Sequence, residues 1–566
     1  MKGGARMTSD QMDSRKKAAV LMLQGTASDV GKSIITTALC RIFTQDGYLT
    51  APFKSQNMAL NSYVTPDGKE IGRAQGVQAE ACGIMATTDM NPVLIKPTRD
   101  MHSQIVVHGA PFANMSAADY RNHFLPKAKG MVMESLDRLR GQHDVVVMEG
   151  AGSPAEINLK QRDIVNMNLA GWADAPVLLI SDIDRGGVFA SIVGTMELLE
   201  PHERDRVKGF IINKFRGDIS LLQPGLEWLE ERTGLPVLGV LPYVKDLRIE
   251  AEDSVVLDSL PRQFMKGKDI DIAVIRYPRI SNFTDLDALA AEEDVSVRYV
   301  TELSQLGSPD IIILPGTKDT IGDLQVLKSS GLAQAIRQVW SEGSCQLVGV
   351  CGGYQMLGDS LYDPDAVEHQ QARVEQGLGM LPLTTTFMKE KRTVRVQGAP
   401  LQDCPIRLSA YSAPDPADLV EGAKHKPAGS TGIQDMEEAV PQRLEIDGYE
   451  IHMGITEYRA SESVCSLFRL LREDGSEVEE GCGTTDGRVW GTYLHGIFDN
   501  DRLRRAWLDQ IREQKGLQPR MTTFSAREIK NQEFDRVAAV VREHLDMDRI
   551  YQLLQTQQGI GIETTS

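Results

Sequence analysis

The sequence predicts an α/β protein with two domains, each built on a largely parallel sheet. With 566 residues the chain is too long for a single hydrophobic core. Short apolar runs alternate with segments at helical spacing in both halves, which is typical of parallel strands joined by helices. A glycine-rich loop in the first half, and a cysteine followed by two glycines in the second, each lie between a predicted strand and a predicted helix.

Composition and charge exclude several classes of protein. The net charge of −18 argues against a nucleic-acid or anionic-membrane partner, because phosphate groups are held by basic surfaces. No apolar run approaches the length of a membrane span. Residues 1–17 are polar and lack the apolar core of a signal peptide, so we expect a disordered tail and a cytoplasmic protein. The seven cysteines include no Cys-x-x-Cys pair, which favours reduced thiols over disulfides or a zinc site.

Residues 18–250 are expected to form the first domain, which begins with a phosphate-binding loop. A compact apolar strand, 18–24, leads into Gly25-Thr-Ala-Ser-Asp-Val-Gly-Lys-Ser33, and a helix follows over 34–43. Backbone N–H groups of such a loop surround phosphates, while its lysine reaches the outer phosphates and its serine binds Mg²⁺. The first glycine lies one residue farther from the second than in the common motif. The predicted ATP-binding residues of this loop are Gly25, Thr26, Asp29, Val30, Gly31, Lys32 and Ser33.

A carboxylate at the end of a later strand completes the predicted Mg²⁺ site. The buried run 144–148 ends at Glu149, and sites of open α/β sheets form at the carboxyl ends of strands. Glu149 and Ser33 are therefore the predicted metal ligands. Asn213, which follows the strand 209–212, either reads the nucleotide base or lies in a simple turn.

Two polar stretches, 53–62 and 180–187, are candidate substrate loops, and the second of them ends in two glycines. Their side chains either face phosphate or carboxylate groups of a substrate or are solvated loop residues. The candidates for substrate binding are Lys54, Asn57, Asp182, Asp184 and Arg185.

A second α/β domain is predicted over 269–515, after a linker at 251–268. Its strands are expected at 270–275, 295–300, 311–314 and 346–350. Residues 409–432 are rich in Pro, Ala, Asp and Gly, which predicts a flexible insert. Residues 516–566 are expected to be a helical extension, with apolar residues at helical spacing over 531–554.

Cys351 is the predicted nucleophile of the second domain. It ends an apolar strand and precedes Gly352 and Gly353, so it should lie on a sharp turn before a helix whose N-terminus favours a thiolate. The backbone N–H groups of Gly316 and Gly352 are candidates for an oxyanion hole. His452 and His495 each follow a strand-like run, and from the residues alone either could serve the cysteine.

The two sites together suggest glutamine-dependent amidation. Cysteine attack on a carboxamide, with histidine moving protons, releases ammonia from glutamine. ATP at the other site can convert a carboxylate into an acyl phosphate, which ammonia then attacks. A hypothesis from a different functional class is a nucleotide-dependent switch of the partitioning type with a vestigial second domain. Such a switch would bind DNA or a membrane, and the acidic net charge of the chain counts against both partners.

The chain resembles the cobyric acid synthase family from about residue 18 to 554. The matching segments are 25–33, 53–62, 73–80, 91–97, 149–153, 182–187, 315–317, 350–353, 448–454 and 493–496. The resemblance implies a dethiobiotin-synthetase-like P-loop domain followed by a class I glutamine amidotransferase-like, flavodoxin-like domain. It implies that Cys351 is the nucleophile, that His495 is its base, and that His452 has a secondary role.

The same resemblance implies the substrates. They are ATP with Mg²⁺, glutamine, and the corrinoid adenosylcobyrinic acid a,c-diamide, which receives four successive amidations to give adenosylcobyric acid. Many related glutaminases have a glutamate two residues after the histidine, where this chain has Ile497, so the unit is a Cys-His dyad or takes its orienting group from elsewhere.

Other amidases of the enzyme class remain as alternatives. The sibling a,c-diamide synthase looks to have a Pro-Asp-Tyr segment where this chain has Gln56-Asn57-Met58, which favours the present assignment. A cell-wall isoglutamine-forming enzyme is the other alternative.

Overall fold

The computed structural model describes residues 17–99, 101–250, 257, 261–343, 345–368, 371–406, 446–459, 461–472, 475–520 and 524–557. The chain divides into two compact units, 1–258 together with 527–566, and 259–526. The predicted insert 409–432, nearly all of the predicted tail and much of the predicted linker lie outside the described residues. Among the described residues, no helix is both long and apolar enough to cross a membrane.

The first unit alternates strands and helices, with a strand-rich insertion near its start. Its strands are β1 (Ala19–Gly25), β2 (Thr50–Phe53), β3 (Gln56–Met58), β4 (Ser62–Val64), β5 (Glu70–Gly72), β6 (Val93–Arg99), β7 (His102–Val107), β8 (Ala110–Ser116), β9 (Val145–Glu149), β10 (Val177–Asp182), β11 (Val207–Phe215) and β12 (Val237–Pro242). Its α-helices of four or more residues before residue 258 are α1 (Lys32–Gln45), α2 (Arg73–Ala81), α3 (Leu125–Gln142), α4 (Met167–Ala173), α5 (Val188–Leu198), α6 (Pro201–Arg204) and α7 (Ile219–Thr233).

Six parallel strands form the main sheet of this unit, in the order β12-β11-β10-β1-β9-β2. Every residue of the central strand β1 is buried, because both faces of the sheet are covered. Alternate side chains of β1 enter two different cores, with Val20 and Met22 on one face and Leu21 and Leu23 on the other. The carboxyl ends of β1, β9, β10 and β11 therefore meet at one edge, as the sequence predicted.

The insertion between β2 and β9 was not foreseen from the sequence. Strands β3, β6, β7 and β8 form a separate four-stranded sheet, and β4 pairs with β5. The stretch 53–62, predicted to be a substrate loop, contains β3 and the start of β4. Its strands are only three residues long at these points, too short to show an alternating pattern.

The second unit contains one large sheet with a parallel half and an antiparallel half. Its strands are β13 (Ile270–Ile275), β14 (Val295–Val300), β15 (Ile311–Leu314), β16 (Gln346–Val350), β17 (Ser360–Asp363), β18 (Arg373–Gln376), β19 (Leu383–Pro400), β20 (Ile446–Tyr458), β21 (Val464–Leu471), β22 (Glu477–Thr484) and β23 (Val489–Thr492). Its helices are α8 (Asp287–Ala291), α9 (Leu303–Leu306), α10 (Thr320–Ser329), α11 (Leu332–Ser341), α12 (Gly352–Met356) and α13 (Asp501–Gln514).

The parallel half of this sheet has the order β14-β13-β15-β16-β23. The strands β13 to β16 match the four predicted runs residue for residue. Because these strands are parallel, the segments after β13, β15, β16 and β23 lie at the same edge. Beyond β23 the sheet continues through β22, β21 and β19, which pair in antiparallel fashion.

Two helices close the described chain, α14 (Ala526–His544) and α15 (Met547–Gln557). The sequence predicted an extension after the second domain, but the structure groups residues from 527 onward with the first unit. Val541 and Leu554 pack into the core that contains Leu21 and Leu39 of β1 and α1. The helices α14 and α15 therefore belong to the first unit, although the second unit precedes them in the sequence.

Candidate active sites

Cys351 lies on a strained turn at the end of β16. Its backbone has φ 52° and ψ −109°, a region that residues with a Cβ rarely adopt. The turn is tight because α12 approaches β15 closely, and a Cβ on Gly353 would lie 1.8 Å from the carbonyl oxygen of Leu314. The Cys351 side chain is 7% exposed, and its Sγ lies 3.7 Å from the carbonyl oxygen of Ile451. This is the nucleophile-elbow geometry that the sequence predicted.

His495 is buried three residues after β23 and is held by a carboxylate that the sequence did not reveal. Its Nδ1 lies 2.6 Å from Oδ2 of Asp285, and the backbone N–H of Gly496 donates to Oδ1 of the same carboxylate at 3.0 Å. Asp285 lies in a 3₁₀ turn, Phe283–Leu286, which follows β13. Cys351, His495 and Asp285 thus form a series of thiol, imidazole and carboxylate.

The surroundings of His495 favour its protonated form. Burial alone would lower its pKa, but the charge of Asp285 and the neighbouring Cys351 side chain, together with hydrogen bonds to both, raise the pKa to about 10. A protonated imidazole beside a cysteine is the arrangement that activates many cysteine nucleophiles. Asp285 is therefore in a position to orient His495, which Ile497, two residues after the histidine, cannot do.

The two predicted oxyanion glycines border this pair. A Cβ on Gly316 would lie 3.2 Å from Cε1 of His495, so this backbone runs along the imidazole. A Cβ on Gly352 would lie 2.6 Å from Cγ2 of Thr317, so the turn after β15 contacts the turn after β16. The predicted donors are consequently on adjoining turns next to the thiol.

The other candidate histidine, His452, packs beside the site on β20. Its ring stacks on Tyr493 with 3.7 Å between ring centroids, and its Nδ1 lies 2.7 Å from the carbonyl oxygen of Gly454. Its Nε2 lies 4.0 Å from Glu450, and among the described residues it has no hydrogen-bond partner. These contacts place His452 in the wall of the site.

Replacing Asp285 with asparagine is expected to lower the glutaminase kcat about 100-fold, because the imidazole loses the anion that orients and charges it. The sign of the pH effect follows from the same contact. The carboxylate raises the pKa of His495, so its removal lowers that pKa, and the alkaline limb of the rate profile should move to lower pH. Glutamate release measured against pH checks both effects, and an alkaline limb unchanged in Asp285→Asn would contradict the assignment.

In the first unit, the glycine loop after β1 has the conformation of a phosphate cradle. Gly31 has φ 99° and begins α1, and a Cβ there would lie 2.2 Å from Nδ2 of Asn213. The Lys32 ammonium donates to the carbonyl oxygens of Ala27, at 3.0 Å, and Gly152, at 3.2 Å. The Lys32 ammonium therefore lies against the glycine loop, which is where it would meet bound phosphates.

The Asn213 side chain contacts the backbone of this loop, which the sequence did not predict. Its Nδ2 donates to the carbonyl oxygen of Val30 at 2.8 Å, and its Oδ1 accepts from the backbone N–H of Lys214 at 2.8 Å. Thr26 adds a hydroxyl contact to Ser181 at 2.9 Å. The Asn213 side chain thus supports the loop, a role that the sequence did not indicate.

Glu149, the predicted metal carboxylate, is almost fully buried beside the loop. Its Oε1 accepts from the Ser33 hydroxyl at 2.7 Å and from the Lys54 ammonium at 3.0 Å. Its Oε2 accepts from Nε2 of Gln78 at 2.7 Å. Both predicted metal ligands therefore meet, with Lys54 and a glutamine from α2 beside them.

The remaining substrate candidates fall into two groups. Asn57 donates to Oε1 of Gln75 at 3.1 Å. Gln75 lies on α2, the helix whose Gln78 contacts the same Glu149 carboxylate as Lys54. Arg185 lies 3.6 Å from Asp29 and 3.9 Å from Asp182, beside the phosphate loop. The other ion pairs of this second group join Asp182 to Lys214 and Asp184 to Arg216, each at 2.8 Å.

Comparison with known proteins identifies a domain family in each of the two units. Residues 21–256 match the CobQ/CobB/MinD/ParA nucleotide binding domain, and residues 271–503 match the CobB/CobQ-like glutamine amidotransferase domain. The cobyric acid synthase of Desulforamulus reducens is 50% identical over 544 residues, which cover 96% of this chain and 99% of that protein. The chain belongs to the cobyric acid synthase family.

Two further members of the family match over similar lengths. The cobyric acid synthase of Geobacillus kaustophilus is 49% identical over 539 residues, 95% of this chain and 98% of that protein. That of Dehalococcoides mccartyi is 48% identical over 537 residues, again 95% of this chain and 98% of that protein. The family predicted from the motifs is confirmed, as are the α/β fold class and the prediction of an enzyme with a nucleotide-binding and a glutamine amidotransferase domain.

Two site residues, Asp285 and Gln78, escaped the sequence reasoning. Asp285 had a usable signal, since it follows β13, whose carboxyl end lies at the same edge as Cys351. Asp287 stands two residues away, and the spacing alone could not choose between them. Gln78 lies inside a helix, where only its hydrogen bond to Glu149 distinguishes it from an ordinary buried amide.

Proposed function

We propose that this protein uses ATP and the amide nitrogen of glutamine to convert side-chain carboxylates of a corrinoid into carboxamides during cobalamin biosynthesis. The proposed substrate is adenosylcobyrinic acid a,c-diamide, amidated four times in succession, at its b, d, e and g carboxylates, to adenosylcobyric acid. The observation that carries the proposal is 50% identity to a cobyric acid synthase over 96% of this chain, together with the series of Cys351, His495 and Asp285.

The glutaminase half-reaction is assigned to the second unit. The Cys351 thiolate attacks the carboxamide carbon of glutamine, and the N–H groups of Gly316 and Gly352 stabilise the resulting oxyanion. The His495 imidazolium gives its proton to the departing ammonia, leaving a thioester. His495 then takes a proton from the water that hydrolyses this thioester, and glutamate leaves with the thiolate restored.

The ligase half-reaction is assigned to the first unit. The loop residues Gly25 to Ser33 surround the phosphates, and Lys32 stabilises the charge on the outer phosphates. The terminal phosphoryl group of ATP passes to an oxygen of a corrinoid carboxylate, which becomes an acyl phosphate, and ADP leaves. Ammonia attacks the carbonyl carbon of that acyl phosphate, and inorganic phosphate leaves as the amide forms. Asp182, Asp184, Arg185, Lys54 and Asn57 remain candidates for contacts to the substrates.

The residues beside the loop fit a Mg²⁺ ion. Ser33 and Glu149 present oxygen atoms, the ligand type that Mg²⁺ prefers, and Oε1 of Gln78 is a buried oxygen with no hydrogen-bond partner among the described residues. In the described part of the chain there is no group of three or more His, Cys, Asp or Glu side chains that could hold a metal. When bound, Mg²⁺ would neutralise charge on the phosphates.

The direct test is incubation of the purified protein with adenosylcobyrinic acid a,c-diamide, MgATP and glutamine. Each amidation exchanges a hydroxyl group for an amino group, and mass spectrometry should resolve successive products that end at the hexa-amide adenosylcobyric acid. Cobyrinic acid and a cell-wall precursor serve as substrates for the two alternative amidases. Turnover of either of these, with the diamide left unchanged, would overturn the proposal.

A further inference from the structure

The helix α2 connects the Glu149 site with the C-terminal helix α14. Its Gln75 and Gln78 are fully buried and lie three residues apart, so they share one face. Its Arg73 and Glu80 take part in ion pairs with the residues Glu250 and Lys530. This helix therefore has polar contacts on both sides, which is unusual for a buried segment.

Gln78 contacts Glu149 through only one end of its amide. The Nε2 atom donates to Oε2 of Glu149 at 2.7 Å, and this orientation of the amide follows because a carboxylate can only accept. The Oε1 atom of the same amide is buried and has no hydrogen-bond partner among the described residues. A buried acceptor left without a donor is costly, so such an atom points to a ligand that supplies one.

The group that can supply a donor here is a water molecule on a divalent cation. Mg²⁺ retains several water ligands when it binds to one carboxylate and to phosphates. Ser33 and Glu149 hold the position for such an ion, and Gln78 lies against the same carboxylate. Second-layer partners of this kind orient metal ligands and affect metal affinity.

An ion cluster keeps α2 in place. Glu250 pairs with both Arg73 and Lys530, and Lys530 also lies 2.5 Å from Glu80. Burial would raise the pKa of Glu250, but the two cations lower it to about 2, so the cluster stays charged at neutral pH. A Cβ on Gly76 would lie 2.2 Å from the ring of Tyr63, which shows how closely the helix is packed on its other side.

We propose that Gln78 is a positioning residue for the divalent cation of the nucleotide site, and that Lys530 of α14 fixes the helix that carries it. The Nε2 atom of Gln78 orients Glu149, and its Oε1 accepts from a water ligand of the cation. The proposal rests on the proposed function only in assuming that nucleotide binds together with a divalent cation. It gives the C-terminal helices a task in the ligase unit, although they follow the glutaminase unit in the sequence.

The test measures Mn²⁺ binding to the full chain in the presence of a non-hydrolysable ATP analogue, with free Mn²⁺ followed by electron paramagnetic resonance. Gln78→Met retains the size of the side chain and removes both hydrogen bonds, so the Kd for Mn²⁺ should rise about tenfold. The affinity for the analogue without metal should stay at the wild-type value. Gln78→Asn, whose amide is too short to reach Glu149, should weaken Mn²⁺ in the same way and serves if the methionine variant does not fold.

Gln75→Met is the matched control, because Gln75 is equally buried on the same helix but contacts Asn57. Its amide atom without a partner among the described residues is Nε2, a donor, which cannot accept from a water ligand of a cation. Its Mn²⁺ Kd should equal that of the wild type. Lys530→Met should raise the Kd by less than Gln78→Met, since it loosens the helix without touching Glu149. Wild-type Mn²⁺ affinity in folded Gln78→Met or Gln78→Asn would overturn the proposal, and wild-type affinity in Lys530→Met would overturn the part assigned to α14. Because the readout is metal binding, either result leaves the amidation assay as a separate test of the proposed function.

Discussion

Replacing Cys351 with serine should abolish glutamine-dependent amidation while amidation supported by added ammonia continues. The hydroxyl of serine is a far weaker nucleophile than a thiolate paired with an imidazolium, so the glutamine-dependent kcat should fall by about 10⁴-fold or more. The first unit does not contain this residue, and ammonia from solution can attack the same acyl phosphate. Product formation with glutamine and with ammonium chloride, compared at equal enzyme concentration, measures the separation.

Cys345 provides the control for this substitution. It immediately precedes β16, the strand that Cys351 follows. It is also buried, and burial raises the pKa of its thiol to about 12, so it stays a thiol at neutral pH. Cys345→Ser should keep both activities. Equal loss of both activities in a folded Cys351→Ser variant would mean that the cysteine is not confined to nitrogen release.

Replacing Lys32 with alanine should abolish amidation with either nitrogen source. Acyl phosphate formation precedes the attack of ammonia, so loss of the cation that stabilises the transferring phosphoryl group removes the step common to both routes. The expected fall in kcat is about 10³-fold, the effect of removing one strong electrostatic contact from a transition state. The measurement is phosphate release together with amide formation, with glutamine and with ammonium chloride.

The control lysine is Lys208, which is exposed on β11 and donates to the carbonyl oxygen of Asp205. Lys208→Ala should retain wild-type rates. Covalent labelling of Cys351 by a reactive glutamine analogue should persist in Lys32→Ala, which shows that the second unit is intact. Ammonia-dependent synthesis that survives in Lys32→Ala would remove this lysine from the phosphate site.

The parallel strands were predictable because they are buried on both faces. The runs that became β1, β9 and β16 are continuous apolar segments bounded by glycine or polar residues, and such segments remain visible without any partner. The candidate site residues could be predicted for the same reason, because Glu149 ends β9 and Cys351 directly follows β16. Local sequence was sufficient for both.

Features that depend on distant pairing were not predictable. Asp285 and His495 are 210 positions apart in the sequence. Lys530 pairs with Glu250 although the whole second unit lies between them in the sequence. The helix predicted over 531–554 is in fact two helices, α14 and α15, separated at 545–546. Helical spacing revealed the apolar residues of this region but could not show that they pack on α1 and β1.

The proposed reaction transfers nitrogen from glutamine to a carboxylate, and isotope tracing tests that transfer most directly. The protein is incubated with MgATP, the a,c-diamide and glutamine labelled with ¹⁵N at the amide, in the presence of unlabelled ammonium chloride. We expect ¹⁵N in the new carboxamides of the wild-type product and only unlabelled nitrogen in the product of Cys351→Ser. Labelled product from Cys351→Ser, or unlabelled product from a wild type that has hydrolysed its glutamine, would contradict it.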